Sequence, residues 1–261
     1  MLLKTELENH NCFSMKKIFA VIAIATLFVG CKKELEFKTI KFFKKTTMPC
    51  KQGCPQVSVA VPFAEPKSEV EDSINNKIFS VVQSIIYNEE AQKSFPDYEA
   101  LLANFIHQYE KMQTANPEDV FGWEANVEGK IMYRSKDILN FEISHYSYTG
   151  GAHGYRGLRS ILVNPKNGKS IPNKNLFVDE SKFKIFAEKQ FRKKFKLPSN
   201  LNINGTGLMF EDEKFQLPQN YFFNKDGLLL HYNIYEIASY AAGPQELLLP
   251  YEILKPYLKL K

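Results

Sequence analysis

Two stretches of helical spacing are followed by an almost unbroken series of alternating ones, and that order limits the folds open to this chain. Val70, Ile74, Ile78, Val81, Val82, Ile85 and Ile86 recur every three or four residues behind Pro66, which predicts a helix with one apolar stripe. Tyr98, Leu101, Leu102, Phe105, Ile106, Tyr109 and Met112 repeat the pattern between Asp97 and Pro117, predicting a second helix with His107 on its surface. From Phe121 the period drops to two. Trp123, Ala125 and Val127, then Ile131 and Tyr133, then Leu139, Phe141 and Ile143 onward to Tyr148, and finally Arg156 to Val163 read as strands. The short gaps between them predict antiparallel neighbours.

Two alternating runs, Glu34 to Phe43 and Val57 to Val61, precede the helices. After the turn at Pro165 to Gly168, Asp179 to Phe195 has Phe183, Phe186 and Phe191 at inward spacing and a mostly basic outer face. Tyr221 to Phe223 and Leu228 to Tyr232 form a hairpin about Asn224 to Gly227, and Glu246 to Leu249 leads into a short helix over Tyr251 to Leu258. Helices and strands are grouped, not strictly alternating. The expected class is therefore α+β, antiparallel sheets with packed helices in two small lobes. With 44% hydrophobic residues the chain has the means to bury a core, and 13 Gly and 13 Pro in 261 residues exclude a collagen-like or low-complexity chain. A formal charge of +5 is too small on its own to imply a nucleic-acid partner.

The N-terminal region reads as an address. Met15, Lys16 and Lys17 precede Ile18 to Gly30, an uncharged run of 13 residues that ends at Cys31. That run is short for a spanning helix, which needs ~20 apolar residues, and has the length of a signal peptide. Phe28, Val29, Gly30 and Cys31 resemble a bacterial lipobox, whose cysteine is diacylated through sulfur and becomes the new N-terminus. The alternative is an uncleaved anchor helix. The organisation expected is a mis-set start over 1–14, a lipoprotein signal peptide over 15–30, a lipidated cysteine and tether over 31–34, and folded lobes over 35–163 and 164–261. Lys32 stands where inner-membrane retention is associated with aspartate, so the expected location is the cell envelope, anchored by fatty acyl chains such as palmitate to the outer membrane, facing the periplasm or the cell surface.

Cys50 and Cys54, in CKQGC, have neither the CxxC spacing of a redox pair nor the histidine partners of a zinc site. In an oxidising compartment they are expected to form a small disulfide across a turn, contributing ~2 kcal/mol. No metal and no cofactor are expected.

The densest unusual stretch is Ser144 to Gly154, SHYSYTGGAHG, in which Gly150, Gly151 and Gly154 permit close backbone approach. His153 with Tyr146, Tyr148 and Tyr155 is a candidate recognition surface; the alternative is a tight strand connection with His153 hydrogen-bonded inside. In YEIASYAAGP, Tyr235 and Tyr240 near Gly243 are the second candidate pair. Binding residues expected are thus Tyr146, Tyr148, Gly150, Gly151, His153, Tyr155, Tyr235 and Tyr240, with no catalytic residue. No GxSxG, Walker, HExxH or dinucleotide signature occurs in the sequence, although a hydrolase could be assembled from distant carboxylates such as Glu142 and Glu236.

The SYTGGAHGY segment, the turn NPKNGKSI, the hairpin FFNKDGLLLHY and the run YEIASYAAGPQELLLPYEIL together resemble a pair of envelope domains. One is similar to the PdaC-like N-terminal domain of some peptidoglycan deacetylases, the other to the C-terminal domain of RsiV-type anti-sigma factors. The resemblance implies a domain that binds lysozyme or sits beside a wall-modifying enzyme. The sequence departs from both relatives: no deacetylase catalytic motif occurs in it, and neither deacetylation nor sigma-factor control is expected. The function expected is a non-enzymatic envelope lipoprotein that binds a lysozyme-like protein, with peptidoglycan or another wall glycan as the alternative ligand and a wall-polymer hydrolase as the remaining one.

Overall fold

A computed structural model describes residues 34–50, 53–87, 93–116 and 121–259. The leader, the lipobox and Cys31 lie outside the described residues. Residues Leu35–Lys261 form one compact unit. Its elements run β1 (Phe37–Lys45), β2 (Gln56–Ala64), α1 (Glu69–Ile86), α2 (Tyr98–Ala115), β3 (Glu124–Arg134), β4 (Leu139–Tyr148), β5 (Tyr155–Val163), α3 (Glu180–Lys194), β6 (Asn220–Phe223), β7 (Gly227–Tyr232), β8 (Gln245–Pro250) and α4 (Tyr251–Leu254). The α+β class with two mainly antiparallel sheets is borne out.

The first five strands make one sheet in the order β1-β2-β3-β4-β5, and the last three make a second, β6-β7-β8. The β1–β2 hairpin is closed by a Cys50–Cys54 disulfide, with Cα atoms 5.3 Å apart. One pairing departs from expectation: β2 and β3 run parallel. Both helices lie between them in sequence, and such a crossover returns the chain to the same end of the sheet.

Each long helix opens on a side chain that satisfies a free backbone N–H. Ser68 accepts from Val70, Asp97 from Ala100 and Asp179 from Lys182. Helices α1 and α2 then bury Ile74, Ile78, Val82, Leu101, Leu102 and Phe105 against Val57, Val59, Val127, Phe141 and Ile143 on one face of the five-stranded sheet. Met112, expected inward, is exposed, because Tyr109 is the last α2 residue that reaches the core. His107 is on the surface, as expected. The helix expected over Tyr251 to Leu258 stops at Leu254; beyond it Leu258 bridges to Phe177 and the Lys259 N–H bonds the Leu176 carbonyl.

A second core joins α3 to the three-stranded sheet. Phe183, Ala187 and Phe191 meet Tyr221, Leu230, Tyr232 and Leu249, and Ile138 and Leu162 reach into it from the five-stranded sheet. The two expected lobes are thus two cores of one compact unit. Their seam lies where edge strand β6 meets edge strand β5, and buried asparagines bridge it. Asn140 Oδ1 accepts from the Phe223 N–H at 2.8 Å, Asn220 Oδ1 from the Ser160 N–H at 2.9 Å, and Asn233 Oδ1 from the Leu158 N–H at 2.7 Å. Asn233 Nδ2 returns a bond to the Leu158 carbonyl at 2.9 Å. These amides satisfy backbone groups that a buried edge could not leave unpaired.

Candidate functional site

Alternation along β3 and β4 sends Ala125, Val127, Phe141 and Ile143 toward the helices, and therefore Asn126, Glu128, Ser144 and Tyr146 to the opposite face. Near the seam that face is walled by the second sheet and by the segment between β7 and β8. The result is an open groove of about 540 Å³ with Tyr146, Arg156, Asn233, His231 and Glu246 among its lining. His231 Nδ1 lies 2.9 Å from Glu246 Oε1 on the neighbouring strand, and the Arg156 guanidinium sits 5.0 Å from the centre of the Tyr146 ring. A second hollow of about 320 Å³, with Lys41, Phe43, Ser58 and Ala60 in its lining, shares Asn126 and Glu128 with the first. The concave surface thus continues across the sheet face toward β1.

An aromatic cluster joins the two loops that the sequence singled out. The His153 ring stacks on Tyr240 with centroids 4.0 Å apart and lies 6.4 Å from Tyr235. The Tyr235 hydroxyl is 3.3 Å from His153 Nε2, and the Tyr240 hydroxyl donates to the Gly154 carbonyl at 3.4 Å. Gly154 is required here: a Cβ would fall 2.4 Å from the Tyr146 ring, which links the cluster to the groove. Tyr235 is 55% exposed and has φ +69°, a left-handed conformation unusual for an aromatic residue. Such strain persists where the surroundings hold it, and it concentrates at functional sites.

The remaining sequence candidates are placed differently. Gly150 and Gly151, with φ +112° and +89°, make the exposed turn between β4 and β5, and the Tyr148 hydroxyl donates to the Gly151 carbonyl at 3.0 Å. That bond shapes the turn, and Tyr148 does not join the cluster. Tyr155 points to the other sheet face, where its ring lies 5.7 Å from His145. Of the two carboxylates considered for hydrolysis, Glu142 pairs with Lys130 at 2.8 Å, and Glu236 accepts from the backbone N–H groups of Asn233 and Gln219. Both are engaged in holding the fold. Among the described residues, no three His, Cys, Asp or Glu side chains could together hold a metal ion. No described helix is long and apolar enough to cross a membrane.

His145 lies outside this cluster and has a consequence of its own. It is 8% exposed and neither ring nitrogen has a hydrogen-bond partner. Burial first, and the charge of Arg159 second, push its pKa down to about 4 from 6.5. The neutral ring therefore contributes stability that is complete above pH ~6.5 and is lost as the pH falls through the folded value, because the unfolded chain takes up the proton first. Denaturant titrations between pH 7 and pH 4 are expected to show about 2–3 kcal/mol of loss from this group, and His145→Phe should flatten that part of the profile. An unchanged slope in the variant would refute the assignment.

Residues 49–156 match the family model described as Deacetylase PdaC, and residues 174–252 match the protein family of unknown function DUF3298. The pair of domains matches. Neither description names an RsiV-type domain. The PdaC segment contributes Asn126, Tyr146 and Arg156 to the groove, and the DUF3298 segment contributes His231, Asn233 and Glu246. A DUF3298-family protein of Bacteroides fragilis has a similar crystal structure, with 19% identity and TM-score 0.65 over 87% of this chain and 94% of that one. A DUF3298-family protein of Pseudomonas aeruginosa gives 20% identity and TM-score 0.60 over 86% and 94%. At such identities the likeness is one of fold. Comparison with curated proteins found no match.

The residues that sequence reasoning missed are Asn126, Glu128, Arg156, Asn233 and Glu246. A period-two reading of β3 carried to its polar positions would have found the first two. The others depend on the seam, which no local pattern encodes.

Proposed function

We propose that the protein is a non-enzymatic, lipid-anchored binding protein of the cell envelope, and that its groove takes a wall glycan. The carrying observation is the exposed His153, Tyr235 and Tyr240 cluster, joined through Tyr146 to an open groove whose lining mixes apolar surface with Asn126, Arg156 and Asn233. Aromatic faces give large contact area at low conformational cost and stack on the apolar faces of sugar rings, while groups such as Asn126, Ser144 and Glu128 can exchange hydrogen bonds with hydroxyl and acetamido groups. Arg156 adds a cation for the carboxylates that peptidoglycan carries on its stem peptides. The continuation toward Phe43 suits a polymer better than a single sugar. The lipobox-like segment ending at Cys31 supports attachment to a membrane by two or more acyl chains, which together hold a protein durably.

A second reading has its own support. Glu211, Asp212 and Glu213 form an exposed acidic turn, and the Met209 N–H just before it bonds the Ile237 carbonyl in the loop that carries Tyr235. A basic, lysozyme-like protein could lie across that turn and the tyrosines together.

Calorimetric titration of the purified protein with soluble peptidoglycan fragments, and separately with lysozyme, tests both readings. Tyr240→Ala is expected to weaken fragment binding about tenfold, through loss of one stacked ring. Binding of lysozyme alone, weakened by Glu211→Lys, would replace the glycan reading with the second; binding of neither would defeat both.

A further inference from the structure

The strongest charged feature lies away from the groove, on α3. Residues 180–196 carry seven basic and two acidic side chains, a surplus equal to that of the whole chain. Three of those cations have partners on the fold: Arg192 pairs with Glu188, Lys184 bonds Gln216 Oε1, and Lys194 bonds the Glu246 carbonyl. Lys182, Lys189 and Lys193 do not. They are exposed on one stripe of the helix opposite buried Phe183, Ala187 and Phe191, and Lys196 follows just past its end. Lys182 has only a 3.6 Å approach to Asp179, and Lys189 and Lys193 have no carboxylate partner among the described residues. On the same side of the helix Ile185 is 71% exposed, and Val178, just before the Asp179 cap, is 70% exposed.

We propose that this face of α3 docks on an anionic lipid bilayer. A bilayer surface offers both phosphate charge for the lysines and an acyl boundary for the exposed Ile185 and Val178. Lysines near such a surface are drawn to its phosphates, and the attraction decays over about 10 Å at 0.1 M salt. Docking would hold the folded body close against the membrane.

The test uses the full-length protein with vesicles of phosphatidylcholine, alone or mixed with phosphatidylglycerol, and follows amine-reactive labelling of individual lysines by mass spectrometry. Labelling of Lys189 and Lys193 is expected to slow at least about tenfold in the mixed vesicles, with recovery at high salt. Ile185→Ser, at an exposed position that leaves the core intact, should restore most of the labelling. Because the comparison is between lipid compositions, it holds whether or not Cys31 is acylated. Equal labelling in both vesicles overturns the proposal, as does protection that Ile185→Ser leaves unchanged. Equal protection by soluble polyphosphate would show a general polyanion site and overturn it too.

Discussion

Asn140→Ala is expected to cost about 3–5 kcal/mol of stability, measured by reversible denaturant unfolding. Asn140 is fully buried on β4, and its amide spans the seam. Its Oδ1 accepts from the Phe223 N–H at 2.8 Å, while Nδ2 donates to Ser160 Oγ at 3.0 Å and approaches the Ile161 and Phe141 carbonyls at 3.3 Å. Truncation strands the Phe223 N–H in a dry interior, where an unsatisfied donor costs about 1–3 kcal/mol, and leaves a void besides. Asn140→Asp should be no milder, since a carboxylate can accept from Phe223 but cannot donate to the other three groups. A loss below 1 kcal/mol in both variants would show that the seam does not depend on this side chain.

Phe191→Ala is expected to cost a similar 3–5 kcal/mol by a different mechanism. The ring is fully buried on α3 and lies 4.3 Å from Phe195, 5.5 Å from Phe215, 5.6 Å from Phe210 and 5.9 Å from Tyr232, centre to centre. Rigid rings on four sides cannot collapse into the space, so the loss combines transfer energy with a persistent cavity. Phe191→Leu should recover a good part of it. If alanine unfolds no more readily than wild type, the second core is not organised around this residue.

The elements were legible because their signals are local. Period 3.6 marked α1, α2 and α3, period two marked the strands, and Asp97 and Asp179 marked the starts of two helices. The direction of β3 was not legible, since nothing within a strand says whether its partner arrives by hairpin or by crossover. The two aromatic loops were both visible as sequence, yet His153 and Tyr235 are 82 residues apart and only the seam brings them together. Tyr155 was grouped with its neighbours by proximity along the chain, and pleating sent it to the opposite face. The bridging asparagines were invisible for a related reason. In a strand a polar residue reads as outward-facing, and only knowledge of a second sheet turns it into a fastener.

Since the groove takes one wall from each matched segment, neither half can be inherited alone with the groove intact. A recombination event that swapped the C-terminal part for a homologous one would preserve both folds while mismatching Arg156 against whatever replaced Asn233 and Glu246. Selection on ligand recognition would then act on the two segments as a single evolutionary character, with changes on one side answered by changes on the other.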